Sequence, residues 1–270
     1  MKLASWALII LMLVSVSVRA ETHLGKYIRM ATTTSVDNSG LLDILLPPFE
    51  RGFGIKVQVL PVGTGQALKL GENGEVDLVF IHAPKSEENF IARGFGLNRR
   101  LVMSNQFVIL GPGHDPAGIK RASRAPEALR GIALKKSLFI SRGDESGTHK
   151  KEQALWQAAG INPEGGWYLA AGRGMGATLI MADEKSAYTL SDSSTYLSFK
   201  EKLSLTPLFT GGKELENPYS VIAINPARHR HVNYSGAMAL IAWLTSVPGQ
   251  EIIKRYKKHG TALFHPRAVP

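Results

Sequence analysis

The sequence predicts an α/β fold with mostly parallel sheets, and three observations predict it. Short apolar strands alternate with amphipathic helices along the chain. Several strands run into a loop of Ser, Thr and Gly that opens a helix. The 270 residues contain no cysteine, so the fold relies on apolar burial, for which the chain is long enough as one large domain or two lobes.

The N-terminus comes first. Lys2 precedes an almost wholly apolar run at residues 6–18, and Val18-Arg19-Ala20 sets small residues before a cleavage point. That is the layout of a secretory signal peptide over residues 1–20, with the mature chain starting at Glu21. The run is short of the roughly 20 apolar residues that a membrane span needs, and no later stretch approaches that length. A bacterial lipid anchor would need a cysteine at the cleavage point. The expectation is a freely diffusing periplasmic protein.

Residues 27–31 read as a strand, and residues 41–46 as a helix that Pro47-Pro48 should end, since proline lacks an amide hydrogen and restricts its predecessor. Strands follow at residues 57–60, 77–81, 107–110, 138–140, 188–190 and 221–224, and late helices at 237–244 and 250–258. No internal repeat or low-complexity tract appears.

Formal net charge is +10, and cleavage removes only Lys2 and Arg19 from the basic count. A basic balance favours acidic partners. The charges are scattered, however, and the densest cluster, Lys254-Arg255-Tyr256-Lys257-Lys258, reads as the wet face of a helix. With no module signature beside it, nucleic acid is not expected as a partner.

Enzyme signatures are missing. There is no Gly-x-Ser-x-Gly elbow, no Gly-Lys-Ser/Thr phosphate loop and no His-Glu-x-x-His. Gly172-Arg173-Gly174-Met175-Gly176 lacks the dinucleotide spacing. His149 follows Ser146 closely, yet neither an orienting acid nor an oxyanion hole can be assigned to the pair. His229-Arg230-His231 reads as a solvated basic turn, and Glu87-Glu88 as an exposed helix start. Neither a cofactor nor a metal cation is expected, and the chain is read as no enzyme.

What stands out is the recurring loop. It occurs at Thr32-Thr33-Thr34-Ser35, at Gly63-Thr64-Gly65, at residues 141–148 and at Gly174-Met175-Gly176-Ala177-Thr178. Helix N-termini carry unpaired amide hydrogens and about half a positive charge, so anions bind there readily. For any one loop, caps and turns explain the same residues. Four together, with Arg142 in one, favour an anion site. A helix terminus supplies roughly 0.3–1 kcal/mol, whereas nanomolar affinity needs about 12 kcal/mol. Charge-assisted hydrogen bonds at about 1.5–3 kcal/mol each must supply the rest. Arg142 is the best charged donor, with Asp144 placed to orient it.

These segments carry a resemblance. Residues 31–42 (ATTTSVDNSGLL) look like the opening motif of the tungstate-binding proteins of ABC transporters, and so do residues 62–68 (VGTGQAL), 74–79 (GEVDLV) and 99–108 (RRLVMSNQFV). Residues 141–149 (SRGDESGTH) complete the set and also resemble phosphate-binding relatives. Ser104, where the pattern leads one to expect an aromatic residue, lies outside the expected site.

The resemblance implies the two-lobed type II periplasmic binding protein fold, closing on an anion between lobes. It implies lobe 1 over residues 21–105, lobe 2 over 106–222, and C-terminal helices over 223–270 returning towards lobe 1. Thr33, Thr34, Ser35, Thr64 and Gly65 would donate from the first lobe, and Arg142, Ser146, Gly147 and Thr148 from the second. The implied ligand is tungstate or molybdate, with a phosphate- or sulfate-binding protein of the same fold as the alternative. The implied partner is the membrane permease of an ABC importer, served by a monomer.

Overall fold

The structure, a computed structural model, describes residues 25–258 and 260–268. The expected signal peptide lies outside the described residues. In chain order the elements are β1 (Tyr27–Thr33), α1 (Thr34–Ser39), α2 (Leu42–Phe53), β2 (Lys56–Val62), α3 (Thr64–Glu72), β3 (Leu78–Ile81), α4 (Pro84–Ala92) and β4 (Gly96–Gly111). Then come α5 (Ala125–Leu134), β5 (Phe139–Ser141), α6 (Gly147–Ala158), β6 (Tyr168–Ala170), α7 (Met175–Glu184), β7 (Thr189–Asp192), α8 (Ser193–Phe199), β8 (Thr206–Thr210) and β9 (Glu216–Ile224). The chain closes with α9 (Tyr234–Thr245), α10 (Val247–Arg255), and the short strands β10 (Lys257–Lys258), β11 (Thr261–Ala262) and β12 (His265–Pro266).

Two bodies form because successive strand residues face opposite sides of a sheet covered on both faces. In the first body, Met30, Leu78 and Phe80 pack with Leu45, Phe49 and Leu240 on one face. Ala31, Val79 and Ile81 pack with Ala67 and Phe90 on the other. The second body repeats the arrangement: Phe107 and Ile109 join Phe139 and Trp156, while Val108 and Leu110 join Ile140 and Leu179. Continuous apolar runs such as residues 107–110 therefore bury both of their faces.

The chain crosses between the bodies twice. β4 leaves the first sheet, ordered β12-β4-β9-β3-β1-β2, and its far end pairs with β7 and β8. β9 returns antiparallel to β4, with Asn105 opposite Asn217. The boundary expected at residue 222 falls inside β9, and Tyr219 and Val221 already pack in the first core.

The sheets are mixed rather than mostly parallel. β1 pairs in parallel with β2 and β3, and β5 with β6, but every ladder of β4 and β9 is antiparallel. The cause is the pair of crossing strands, which run in opposite directions between the bodies.

Pro47 and Pro48 do not end a helix; both lie inside α2. Each removes one amide donor from the ladder. The carbonyls thereby freed belong to Asp43 and Ile44, on the exposed face, where solvent has access to them. Leu42, Leu45, Leu46 and Phe49 bury the opposite face at helical spacing, and the helix stops at Gly54, in the left-handed region at φ 67°. The expected helix over 250–258 ends at Arg255, and Lys257-Lys258 instead pairs with β11.

Candidate functional site

All four Ser/Thr/Gly loops open helices: α1 follows Thr33, α3 follows Gly63, α6 follows Ser146 and α7 follows Gly174. The loop before α6 is the most constrained. Gly143 and Glu145 both have positive φ, and a side chain on Gly143 would meet the Ala170 Cβ at 2.7 Å. Arg142 Nε donates to Asp144 Oδ2 at 2.8 Å, and the Ser146 amide donates to Asp144 Oδ1 at 3.2 Å. Both carboxylate oxygens are thus engaged within the loop, and Arg142 is 6% exposed.

Gly147 joins the two bodies. A Cβ there would lie 3.0 Å from His82 Cε1, 3.2 Å from the His82 carbonyl and 3.2 Å from Thr64 Oγ1. Thr64 and Thr148 are both fully buried, and neither hydroxyl has a hydrogen-bond partner among the described residues. A buried hydroxyl without a partner costs about 1–3 kcal/mol, so such a pair beside one glycine calls for an acceptor.

The first body adds Thr33 and Ser35, both buried, with their hydroxyl oxygens 3.1 Å apart. Thr34 is half-buried and Gly65 is exposed. A cavity of about 260 Å³ runs between Thr34, Ser35 and Asn38 on one side and Gly174, Met175 and Thr195 on the other. A larger cavity, about 960 Å³, opens among Lys136, Leu138, Asn162 and Trp167, and no expected anion donor lines it. Size alone does not identify the site.

Sequence reasoning missed a buried polar chain behind these loops. Asp192 accepts from the Thr195 amide at 2.9 Å, the Thr195 hydroxyl at 2.6 Å, the Ser194 hydroxyl and the Asn105 amide. Asn105 accepts from Asn217 at 2.7 Å, and Asn217 faces His82 Nδ1 at 2.9 Å. His82 Nε2 lies 3.5 Å from Ser35 Oγ. His82 follows β3 directly, and that position was its only signal in the sequence.

Burial pushes the His82 ring down to about 4, against the pull of Asp192 and the Asn217 hydrogen bond, while Arg142 and Lys151 add to the fall. Burial likewise lowers the Lys151 ammonium. Behind the Arg142 loop, burial raises Glu152 to about 7, although Tyr168, Ser141 and Trp156 all donate to it.

Several side chains lack the chemistry their types suggest. Ser146 Oγ accepts from the His149 amide as a helix cap, and His149 Nδ1 accepts from the Glu145 amide, so no Ser–His dyad forms. Glu87 is not exposed: it is fully buried, accepts from the Ala83 amide and pairs with Arg99. Burial raises its carboxyl, and Glu88 alone faces solvent. His229 and His231 each bond a backbone carbonyl, those of Glu72 and Gly74. Two unpartnered hydroxyls, Thr64 from the first body and Thr148 from the second, thus flank Gly147, with Arg142 buried in the loop before it.

Known proteins match this architecture. A family model described as a PBP superfamily domain matches residues 17–247. The chain is 48% identical over 244 residues to the tungstate-binding protein TupA of Peptoclostridium acidaminophilum, covering 89% of this chain and 85% of the relative. Among solved structures, the tungstate ABC transporter from Geobacter sulfurreducens is 54% identical with a TM-score of 0.79, covering 86% of this chain and 99% of that one. The tungstate-binding protein TupA from Desulfovibrio alaskensis G20 is 42% identical with a TM-score of 0.79, covering 91% and 100%. Two lobes crossed by β4 and β9, Ser/Thr/Gly loops at helix starts, and these matches together show that the chain belongs to the PBP superfamily, in the family of the tungstate-binding TupA proteins.

Proposed function

We propose that the protein captures a tetrahedral oxyanion, tungstate or its near twin molybdate, and delivers it to the permease of an ABC importer. The observation that carries this is the pair of unpartnered buried hydroxyls, Thr64 from one body and Thr148 from the other, next to Gly147. Thr33, Thr34, Ser35, Thr64 and Gly65 donate from the first lobe. Arg142, Ser146, Gly147 and Thr148 donate from the second. Names of the relatives support tungstate as the ligand.

The physical logic is a balance of terms. A dianion loses its hydration shell on entry, and only several charge-assisted hydrogen bonds at about 1.5–3 kcal/mol each offset that loss. Arg142 supplies a charge, and Asp144 holds its guanidinium. Mono-hydrogen phosphate carries a proton that seeks an acceptor, and a site of donors disfavours it. The protein acts as a monomer in the periplasm, without catalysis. Calorimetric titration with tungstate, molybdate, phosphate and sulfate tests this function.

A further inference from the structure

A donor-only site needs every nearby lone pair to be accounted for, and His82 presents one. Asp192 starts a chain whose polarity is fixed. Its carboxylate accepts from four donors, so Asn105 presents its amide nitrogen there and its carbonyl to Asn217. Asn217 spends its own nitrogen on Asn105 and on the Tyr219 hydroxyl at 3.0 Å. Its carbonyl therefore faces His82 Nδ1, which must carry the hydrogen. Nε2 is left as a bare acceptor.

That acceptor faces the loop that opens α1. Cε1 of the same ring lies 3.0 Å from where a Cβ on Gly147 would sit, and Nε2 faces Ser35 Oγ at 3.5 Å. A hydroxyl can turn its proton towards whatever it meets, but an imidazole nitrogen held in this tautomer cannot. Of the two carboxylates in the loop before α6, Asp144 has both oxygens engaged and the Glu145 side chain is 74% exposed.

We propose that Ser35 determines which oxyanions are admitted, because its hydroxyl donates to His82 Nε2 and covers the fixed acceptor beside the site. With the lone pair covered, an oxyanion that carries a proton finds no fixed acceptor for it, and a fully deprotonated dianion loses nothing. Ser35 itself then serves the ligand through its backbone amide, and the Thr33 hydroxyl, 3.1 Å from Ser35 Oγ, keeps its proton for the ligand. The ring stays neutral near neutral pH because burial and the facing cations Arg142 and Lys151 outweigh Asp192. This inference rests on the oxyanion reading of the site.

The test compares phosphate with sulfate, two tetrahedral anions of similar size of which only phosphate carries a proton near pH 7.5. Both are titrated into the mature chain and into Ser35→Ala, Ser35→Thr and the double variant Ser35→Ala/His82→Phe, with tungstate as reference ligand. In Ser35→Ala, phosphate affinity rises at least tenfold and sulfate affinity does not rise. Ser35→Thr keeps the unsubstituted pattern, and the double variant loses the phosphate gain. Phosphate and sulfate changing in step, phosphate remaining unmeasurably weak in Ser35→Ala, or the gain surviving removal of His82 each overturns the role of Ser35. Failure of the unsubstituted chain to bind tungstate overturns the oxyanion reading instead.

Discussion

Arg142 and Asp144 form an ion pair inside a single loop, Nε to Oδ2 at 2.8 Å, with the arginine side chain 6% exposed and the aspartate 21%. The pairing engages the guanidinium through Nε, and it separates two roles that Arg142 has in principle.

Arg142→Ala should weaken tungstate binding by well over tenfold, since truncating a desolvated charged partner costs about 2–5 kcal/mol. Arg142→Lys should recover only part of this, because an ammonium lacks the planar fork. Asp144→Ala should cost less affinity while lowering the melting temperature, as it frees both Arg142 Nε and the Ser146 amide. Calorimetry and thermal melting of the three variants check this. Equal affinity losses in Arg142→Ala and Asp144→Ala would mean that the arginine only holds the loop.

Thr64→Val and Thr148→Val replace buried hydroxyls that have no hydrogen-bond partner among the described residues. Each should leave the ligand-free melting temperature unchanged or higher, because an unsatisfied buried polar group is removed. Each should also weaken tungstate binding by roughly ten- to a hundredfold, one charge-assisted hydrogen bond being worth about 1.5–3 kcal/mol. Lower stability with unchanged affinity would make the hydroxyls structural.

Much of this site was legible because its chemistry is local in sequence. Ser, Thr and Gly at strand ends mark the loops, and the apolar runs at residues 78–81 and 107–110 mark the strands that aim them. The polar chain from Asp192 to His82 was not legible, since Asn105 and Asn217 meet across 112 residues and no periodicity relates them. β4 was read only at its far end, because bulges between Leu97 and Arg100 and between Leu101 and Met103 break the period-two pattern. Glu87 looked exposed because its partner Arg99 lies on a different element.

Glu152 gives a pH signature. Its carboxyl titrates near 7 in the fold and near 4.5 when unfolded. Between those values the folded state keeps a proton that the unfolded state releases, so stability falls as pH rises from about 4.5 to 7 and levels off above. The full loss is about 3 kcal/mol at 1.36 kcal/mol per unit. Glu152→Gln should flatten this slope, so its stability difference from the unsubstituted chain should shift in its favour as pH rises. Denaturant unfolding of the ligand-free proteins at pH 5 and 8 measures it, and parallel profiles would contradict it.

Processing is separately testable. N-terminal sequencing after osmotic release should return Glu21 as the first residue. Met1 retained in a membrane fraction would contradict export as a diffusing protein.

Loops from two bodies should together select a proton-free tetrahedral dianion. Isothermal titration calorimetry of the mature chain near neutral pH, with tungstate titrated alone and then against phosphate, tests it most directly. The account predicts tungstate and molybdate binding at nanomolar to micromolar levels, with phosphate far weaker. Millimolar phosphate competing with tungstate on equal terms would contradict it.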